Sequence, residues 1–491
     1  MKKTAGAHLA IDLGASSGRV FVGSRASDIL QIREIRRFAN GPISYGPSSH
    51  WDVARLWTEI CESLSGVDEP LAGIGVDAWG VDYALLGERG ELLQKPYHYR
   101  DPRNLSAMRA VLELIPKEEI YRQTGVQFMP INTLYQLFAA KRDTPELLAA
   151  AHRLILIPDL FHYWLTGNAV CEYTAASTTQ FTNPLTRNWA ASLLEQLGLP
   201  AQLPALIVEA GTMIGHLLPS FAGSAIAGTC VIAPASHDTA SAVAAVDARG
   251  DTAFLSSGTW SLIGTELNAP ILSPLAQQTN FTNEGGAAGT TRLLKNVMGL
   301  WMIERCRLKW ASDGNGFGYD ELFSAAQDTS RRGSLVDPDD PSFLNPTEMT
   351  VAIDNFCERT DQPKPQGPES YARVILESLA MKYRLVIRDL ESVTGQPINR
   401  IRVIGGGSKN RLLNQFTANT TGKQVCAGPT EAAVLGNIGV QMLATGAAGS
   451  LKEIRAMIDR SFPTELFEPQ DTAGWDREAQ RFQQYCEFSY A

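Results

Sequence analysis

The stretch His8–Gly23, HLAIDLGASSGRVFVG, contains two apolar segments separated by a turn of small residues. The first segment ends at Asp12, and the turn between Gly14 and Gly18 has no large side chain before Arg19. Such a turn leaves backbone amides uncovered, and uncovered amides in a tight turn bind anions. A carboxylate beside a phosphate often binds magnesium. The stretch therefore indicates either a phosphate-binding loop with a metal-binding carboxylate or a plain turn capped by Asp12.

Two known phosphate-binding motifs, the P-loop and the dinucleotide fingerprint, do not occur in this stretch. The P-loop spacing GxxxxGK[ST] and its lysine are missing, and the dinucleotide fingerprint GxGxxG is missing as well. A helix follows the glycines of that fingerprint, whereas a second apolar strand follows them here. Any phosphate site at this turn must therefore be of another type.

The composition limits the class of protein. The 491 residues are enough for two domains, and the apolar (44%) and charged (19%) fractions are those of a soluble globular protein. The net charge of −9 without a basic block argues against nucleic acid or an anionic membrane as a partner. We recognise no membrane span and no signal peptide. The seven cysteines are scattered without a CxxC pair, so we expect thiols in a reducing cytoplasm.

The opening pattern recurs near the middle of the chain. Thr252–Glu266, TAFLSSGTWSLIGTE, is again an apolar strand, a small-residue turn and an apolar strand, although it lacks the aspartate. After the first hairpin, a third strand over Ile29–Phe38 and a helix over Val53–Leu64 predict a mixed α/β sheet. The recurrence suggests two similar domains whose turns hold one polyphosphate from both sides. Two unrelated hairpins are the alternative.

Several other elements follow from periodicity and from Pro and Gly positions. A helix is predicted from Pro158 to Gly167, because proline favours helix starts and glycine favours helix ends. Cys230–Ser236 is predicted as a strand and Ser370–Val393 as a long helix. The apolar helix Thr430–Gly446 carries small residues that are typical of close packing, and it is not predicted as a site.

Three adjacent glycines, Gly405–Gly407, follow the apolar strand Ile401–Ile404 and precede a helix from Lys409. Glycines at a strand end let a flat ligand approach the backbone, and this is a usual place for a nucleotide base in an α/β sheet. A tight strand-to-helix turn is the alternative.

The segment Pro234–Val246, PASHDTASAVAAV, places His237 and Asp238 at the end of a strand and the start of a helix. An aspartate at a helix start is most often a cap. At a junction between two domains, however, a carboxylate can accept a proton from a sugar hydroxyl that attacks a phosphate. Trp79 and Gly80, between two aspartates, belong either to the core or to the wall of a sugar pocket.

Eight motifs resemble, in this order, those of the FGGY carbohydrate kinases, over His8 to about Gly446. The motifs are AIDLGASSGR, GVDAWGVD, YRDPRN, PDLFHYWLTG, SHDTASAV, LSSGTWSLIG, KNVMGLW and IGGGSKNRLLNQ. The resemblance implies an α/β fold of two actin- and hexokinase-like domains, each on an RNase H-like sheet, flanking a deep catalytic cleft. The expected domains are residues 1–246 and 247–491.

Within that family, the motifs are most similar to those of the branch that acts on L-rhamnulose. The resemblance implies transfer of a phosphoryl group from ATP, with Mg²⁺, to the 1-hydroxyl of L-rhamnulose, by a monomer or small homo-oligomer. Three alternatives stay open: a kinase for another ketose such as L-fuculose or D-xylulose, a catalytically idle sensor of sugar or nucleotide, and an actin-like ATPase. The aspartates and both small turns favour the enzyme, since a sensor needs no base.

The resemblance also implies roles for individual residues. Asp238 is expected to be the general base, and Asp12 is expected to lie near the magnesium ion. The expected ATP contacts are Ala15, Ser16, Ser17, Gly18, Arg19, Thr259, Glu304, Gly405, Gly406 and Gly407. The expected sugar contacts are Gly80, His237, Asp238, Thr239 and Asn296. One position departs from the family pattern, because Glu304 places a carboxylate where a glutamine is expected at the nucleotide.

Overall fold

The computed structural model describes residues 6–221, 224–329 and 333–487, and strands and helices alternate along them. Before residue 248 the strands are β1 (Ala7–Leu13), β2 (Ser17–Ala26), β3 (Ile29–Ala39), β4 (Pro42–Tyr45), β5 (Ser48–Trp51), β6 (Leu71–Ala78), β7 (Tyr83–Leu86), β8 (Arg153–Leu156), β9 (Val170–Glu172), β10 (Thr182–Asn183), β11 (Asn188–Trp189), β12 (Leu206–Val208), β13 (Met213–His216) and β14 (Cys230–Ile232). The helices there are α1 (Val53–Ser65), α2 (Arg103–Leu114), α3 (Lys117–Thr124), α4 (Thr133–Asp143), α5 (Pro145–Ala150), α6 (Ile157–Thr166), α7 (Tyr173–Ala176), α8 (Ala191–Gln196) and α9 (Asp238–Ala244).

The rest of the chain repeats this alternation. Its strands are β15 (Thr252–Ser257), β16 (Trp260–Leu267), β17 (Thr282–Gly285), β18 (Thr291–Met298), β19 (Arg400–Ile404), β20 (Gln424–Ala427) and β21 (Glu465–Phe467). Its helices are α10 (Pro274–Gln278), α11 (Trp301–Ser312), α12 (Tyr319–Asp328), α13 (Met349–Arg359), α14 (Pro368–Thr394), α15 (Arg411–Thr421), α16 (Ala432–Ala444), α17 (Leu451–Ser461) and α18 (Thr472–Glu487). None of the helices in the described residues is long and apolar enough to span a membrane.

The chain forms two compact units, and each is assembled from separate segments. The first unit consists of the residues up to Asp247, Glu266–Leu293 and Glu431–Phe462. The second unit consists of Ala248–Thr265, Leu294–Thr430 and the residues from Pro463 onward. The division into functional domains after residue 246 stays a prediction.

The sheet of the first unit has the strand order β13-β14-β6-β1-β2-β3. Strand β1 pairs antiparallel with β2 and parallel with β6, and every residue of β1 is buried. A strand between two neighbours and buried on both faces reads as a continuous apolar run, as the opening stretch does. In this register Asp12 lies opposite both Arg19 and Asp77.

The second unit repeats this topology. Strands β18, β16, β15, β19, β20 and β21 are neighbours in that order, with β15 antiparallel to β16 and parallel to β19. Strand β15 takes the place of β1, β16 that of β2, and β19 that of β6. The predicted recurrence of strand, small-residue turn and strand is therefore confirmed as a repeat of the whole sheet pattern.

The structure corrects one predicted strand and one predicted helix start. The helix predicted from Lys409 begins at Arg411, after a 3₁₀ turn over Gly406–Lys409. The strand predicted over Cys230–Ser236 ends at Ile232, since Pro234 has no amide hydrogen for a ladder bond. The segment instead turns toward α9, which begins at Asp238 with His237 as its N-cap residue. The predicted helix ending at Gly167 is confirmed, and that glycine has a left-handed φ of 78°.

Candidate active site

The turn between β1 and β2 is closed by its own backbone. The Gly14 amide donates to the Ser17 carbonyl at 2.9 Å. The backbone amide of Asn40 donates to the Ser16 carbonyl, and Asn40 Nδ2 donates to the Gly14 carbonyl. Within the described part of the chain, no hydrogen bond reaches the amides of Ala15 and Ser16. Two open amides in a half-exposed turn are able to bind an anion, as the sequence predicts.

Gly18 and Arg19 follow at the start of β2. A Cβ atom on Gly18 would lie 2.1 Å from the Phe38 ring, so a larger residue would require that ring to move. The Arg19 guanidinium contacts the Asp12 carboxylate and donates to Glu431 Oε2 at 2.5 Å. The two carboxylates therefore hold this cation in place beside the turn.

Two buried carboxylates at the carboxyl ends of β1 and β6 carry unpaired oxygens. Asp77 Oδ2 accepts from Asn437 Nδ2 at 2.6 Å, whereas Oδ1 of Asp12 and Oδ1 of Asp77 have no hydrogen-bond partner among the described residues. Burial raises the pKa of Asp12 to about 6 and that of Asp77 well above its usual range. Unpaired carboxylate oxygens in a polar pocket fit Mg²⁺, which binds through one or two carboxylates together with phosphates.

Asp238 is the first residue of α9 and is partly accessible, with 28% of its side chain exposed. Its Oδ1 accepts from the amide of Thr239 at 2.6 Å and from the hydroxyl of the same residue at 3.2 Å. No hydrogen bond from the described residues reaches Oδ2. The carboxylate is therefore held at one oxygen and open at the other, which suits a proton acceptor better than a cap alone.

The segment that leads into α9 is fixed by buried groups of the same unit. The Ser236 amide donates to Glu172 Oε2 at 2.9 Å, and the His237 amide donates to Thr174 Oγ1 at 3.1 Å. The Thr174 hydroxyl donates in turn to Glu172 Oε2 at 2.5 Å. Burial raises the pKa of Glu172 to about 7. These bonds set the direction in which α9 presents its first residue.

The segment at Gly80 has a strained backbone. Val81 has a φ of 66°, a left-handed conformation that β-branched residues rarely adopt. Its amide donates to Thr178 Oγ1 at 3.0 Å, and its carbonyl accepts from Thr133 Oγ1 at 2.6 Å and from Gln136 Nε2 at 3.2 Å. A Cβ atom on Gly80 would lie 3.0 Å from the Thr178 side chain. Strain that is held by several partners is typical of ligand sites.

Asp82 connects the aromatic residues around this segment. Its Oδ2 accepts from Trp51 Nε1 at 2.5 Å, from Trp79 Nε1 at 3.0 Å and from the Tyr99 amide at 3.2 Å. Its Oδ1 accepts from Gln136 at 2.8 Å, and burial raises its pKa to about 7. The two indole rings have centroids 3.9 Å apart, and both are buried. Of the two interpretations of Trp79, the structure favours the core.

In the second unit, Thr259 lies in the turn between β15 and β16. Its carbonyl accepts from the Gly299 amide at 3.2 Å, and the Gly258 carbonyl accepts from the Leu300 amide at 2.9 Å. A Cβ atom on Gly299 would lie 2.6 Å from the Gly258 carbonyl oxygen. The second small-residue turn is therefore packed directly against the start of α11, the helix that carries Glu304.

The three glycines after β19 lie beside the same turn. A Cβ atom on Gly407 would lie 2.1 Å from Ser257 Oγ, and Gly405 has a φ of 82°. At Gly406 a Cβ atom would meet nothing within 4 Å, so this position faces open space. The glycines thus combine close packing on one side with an open backbone on the other, and a flat ligand is able to approach there.

Glu304 and Asn296 complete the predicted positions of this unit. The Glu304 carboxylate accepts from Arg307 Nη1 at 2.7 Å and from the Tyr319 hydroxyl. The negative charge of Glu304, where the family pattern has a glutamine, is therefore compensated by the positive charge of Arg307. Asn296 lies on β18 and is half-buried.

The structure thus divides the predicted site residues between the two units. The first unit contains Asp12, Ala15, Ser16, Ser17, Gly18, Arg19, Gly80, His237, Asp238 and Thr239. The second unit contains Thr259, Asn296, Glu304, Gly405, Gly406 and Gly407. The roles of all of these residues stay predictions.

Sequence reasoning missed the polar groups that α16 and its N-terminus supply to the first unit. The helix packs closely, as predicted, but Glu431 contacts Arg19 and Asn437 contacts Asp77. Gln441, one turn after Asn437, donates to the side chain of that asparagine at 2.6 Å. Two amides four residues apart on one face of an apolar helix are the signal that identifies a buried polar contact.

Two family models match the chain. The N-terminal domain of the FGGY family of carbohydrate kinases matches residues 7–245, and the C-terminal domain of that family matches residues 253–445. The chain belongs to the FGGY family of carbohydrate kinases. Like the other FGGY kinases it is a phosphotransferase that acts on a sugar, and its use of ATP follows from the family.

Among curated FGGY kinases, the chain is similar to several proteins named rhamnulokinase. It is 44% identical over 472 residues to the one from Bacteroides thetaiotaomicron, which covers 95% of this chain and 96% of that protein. It is 42% identical over 483 residues to that of Pectobacterium atrosepticum (97% and 95%) and 41% identical over 459 residues to that of Oceanobacillus iheyensis (93% and 97%).

Solved structures of other kinases share the fold. A ligand-bound xylulose kinase from Lactobacillus acidophilus superposes with a TM-score of 0.79 at 18% identity, covering 98% of this chain and 97% of that one. Plasmodium falciparum glycerol kinase with ADP gives a TM-score of 0.76 at 14% identity (99% and 98%). The predicted α/β fold of the actin and hexokinase type is confirmed.

Proposed function

We propose that this chain transfers the γ-phosphoryl group of ATP to the 1-hydroxyl of L-rhamnulose. The observation that carries the transfer is the Asp238 carboxylate, with Oδ1 held by Thr239 and Oδ2 open. The choice of sugar is supported by the rhamnulokinases that match this chain at 41–44% identity over nearly their whole length.

Asp238 acts as the general base in this proposal. The 1-hydroxyl oxygen attacks the γ-phosphorus, its proton passes to Asp238 Oδ2, and the bond between the γ-phosphorus and the β–γ bridging oxygen breaks. ADP leaves with that oxygen. The product is L-rhamnulose 1-phosphate.

The open amides of Ala15 and Ser16 hold phosphate oxygens, and Arg19 neutralises part of their charge. We assign the remaining ATP contacts to Ser17 and Gly18, and to Thr259, Glu304 and Gly405–Gly407 of the second unit. The ATP contacts are thus divided evenly, with five in the domain that we place at residues 1–246 and five in the domain that we place at residues 247–491.

The sugar contacts are assigned to Gly80, His237, Thr239 and Asn296. Gly80 belongs to the strained segment, so its peptide groups are held in one orientation before the sugar binds. His237 and Thr239 flank the base on either side. Preorganised contacts of this kind lower the entropy cost of placing the 1-hydroxyl next to Asp238.

Asp12, together with Asp77, would hold the Mg²⁺ ion that accompanies ATP. Their buried Oδ1 atoms lack partners among the described residues, and this donor set is the one that the ion prefers. When bound there, the ion would supply positive charge to the phosphates. Asp77 is not among the residues that the sequence predicts as ligands.

Steady-state kinetics with a panel of ketoses tests the proposal. With ATP and Mg²⁺ fixed, we expect kcat/KM for L-rhamnulose to exceed clearly the values for L-fuculose and D-xylulose. A higher kcat/KM for either of those two sugars would contradict the choice of substrate while leaving phosphoryl transfer intact. Product analysis by ³¹P NMR then tests whether the phosphate is attached to the 1-oxygen.

A further inference from the structure

The imidazole of His237 lies between two carboxylates of the first unit. Its Nδ1 is 3.4 Å from Glu284 Oε2, and its Nε2 is 3.5 Å from Asp238 Oδ1. Both separations exceed the 2.7–3.2 Å of a good N–H···O bond. The positions of the carboxylates alone therefore leave open which ring nitrogen carries the proton.

A third group approaches the same ring. Arg292 on β18 is fully buried, and its Nη2 is 3.1 Å from His237 Nδ1. Arg292 Nη2 also donates to Glu284 Oε2 at 3.0 Å, and Arg292 Nε donates to the Gly285 carbonyl at 2.8 Å. Three contacts thus hold one buried guanidinium against the imidazole.

The chemistry of the guanidinium decides the tautomer. Arginine has N–H donors and no acceptor, so a bond between Nη2 and Nδ1 requires Nδ1 to accept. If Nδ1 carried the proton, two N–H donors, on Nδ1 and on Arg292 Nη2, would face each other at 3.1 Å. The only gain would be a bond from Nδ1–H to Glu284 Oε2, which is 3.4 Å away. The neutral imidazole must then carry its proton on Nε2, the nitrogen nearer Asp238.

We propose that Arg292 is a positioning residue that fixes His237 in the Nε2-protonated tautomer, so that Nε2–H donates to a hydroxyl of the bound sugar. Glu284 holds Arg292 in the required orientation. The step from tautomer to sugar rests on the proposed function, in which His237 contacts the substrate of the base Asp238. The tautomer itself depends only on the contacts within the first unit.

Asp238 leaves this donor available. Its Oδ1 already accepts two bonds from Thr239. The 3.5 Å to His237 Nε2 is too long to add a strong third bond. A sugar hydroxyl is therefore the stronger acceptor for Nε2–H. Such a bond would orient the sugar while the 1-hydroxyl of the sugar gives its proton to Asp238 Oδ2.

The direct test is the ¹⁵N spectrum of the histidine side chains in the full-length protein without substrate. The chain has 7 histidines, and the signals of His237 are assigned by their loss in His237→Gln. We expect a protonated Nε2 and an unprotonated Nδ1. In Arg292→Met the donor to Nδ1 is gone, so we expect the proton to move to Nδ1 and face Glu284. Arg292→Lys keeps a donor and should keep the proton on Nε2.

Arg455→Met is the matched control. Arg455 is another buried arginine of the first unit; its Nη2 donates to Glu266 Oε2 at 2.8 Å, and no hydrogen bond among the described residues joins it to His237. Its substitution removes a buried ion pair in the same way but should leave the tautomer of His237 unchanged. Glu284→Gln should also keep the proton on Nε2, because Arg292 still donates.

Kinetics supply the second readout. Arg292→Met should lower kcat for L-rhamnulose by roughly 10²-fold with little change in KM for ATP, and Arg292→Lys should recover part of that loss.

A wild-type His237 protonated on Nδ1 overturns the proposal, even if Arg292→Met fails to fold. An Arg292→Met protein that keeps Nε2–H and turns over within a few-fold of the wild type also overturns it. Nε2–H in a wild type inactive on every ketose would support the tautomer and contradict the proposed function.

Discussion

Val81 shows most directly how single residues shape the candidate sugar site. A left-handed φ at a β-branched residue is unfavourable by about 1–3 kcal/mol, and it persists only where neighbours determine the backbone. Those neighbours are the side chains of Thr133, Gln136 and Thr178, each hydrogen-bonded to the Val81 peptide groups. The strain is thus a local consequence of polar side chains from helix α4 and from the turn after α7.

Thr178→Ala tests this account of the segment. The substitution leaves the Val81 amide without its buried acceptor, and we expect the free energy of unfolding to fall by about 1–3 kcal/mol. The KM for the sugar should rise several-fold while the KM for ATP stays near that of the wild type. Thr178→Ser keeps the hydroxyl and should retain most of both properties. Equal behaviour of the alanine and serine variants would show that the hydroxyl does not hold the segment.

Helix α16 shows at the scale of an element why a packed helix also serves the site. Gly436 faces the backbone of α9: a Cβ atom there would lie 1.7 Å from the Ser241 carbonyl oxygen. At Gly439 the nearest atom to a Cβ would be the flexible Ile454 side chain, at 2.6 Å. The close approach at the first glycine brings the helix near enough for Asn437 to reach Asp77.

The two glycines give a paired prediction. Alanine is favoured over glycine in a helix by about 0.8–1 kcal/mol, so propensity alone predicts that both substitutions stabilise. We expect Gly436→Ala to destabilise the protein by at least about 3 kcal/mol, since backbone is unable to yield as a side chain does. Gly439→Ala should cost clearly less. Urea denaturation compares the two, and equal free energies of unfolding would contradict the described helix contact.

Elements were predictable where the signal is local. The hairpin β1–β2, its repeat β15–β16 and helix α6 all follow from apolar runs, small turns and Pro or Gly positions. The strand predicted to Ser236 was too long, because Pro234 has no amide hydrogen for the ladder and the next amides, of Ser236 and His237, donate to side chains of Glu172 and Thr174. Arg292 was also missed, because its contact with His237 joins residues that are 55 positions apart in the sequence. Periodicity carries no information about such long-range polar contacts.

At the scale of the whole molecule, buried carboxylates couple stability to pH. Burial raises the pKa of Glu172 to about 7 from an ordinary value of 4.5. The folded protein therefore holds a proton on this group at pH values where the unfolded chain has lost it. The resulting stabilisation is fully present below pH 4.5, decreases as the pH rises, and is lost above pH 7.

Glu172→Gln should remove this dependence. Oε1 of the glutamate is buried without a partner among the described residues, so a neutral side chain of the same shape fits there. We expect the melting temperature of the wild type, relative to the variant, to fall between pH 5 and pH 7 and then to level off. The full effect corresponds to roughly 3 kcal/mol. Calorimetry must follow the transition of the first unit, since two units need not unfold together. Parallel melting curves across that pH range would contradict the raised pKa.

The central claim, that Asp238 takes the proton of the attacking hydroxyl, is tested most directly by the kcat of Asp238→Asn on L-rhamnulose. Asparagine keeps the shape and caps a helix about as well as aspartate, but it does not accept a proton at neutral pH. Asp28→Asn, at an exposed aspartate, is the control and should match the wild type. We predict a fall in kcat of roughly 10²–10⁴-fold for Asp238→Asn, with the affinity for ATP little changed. A variant that turns over within a few-fold of the wild type would contradict the claim and leave Asp238 with a capping role alone.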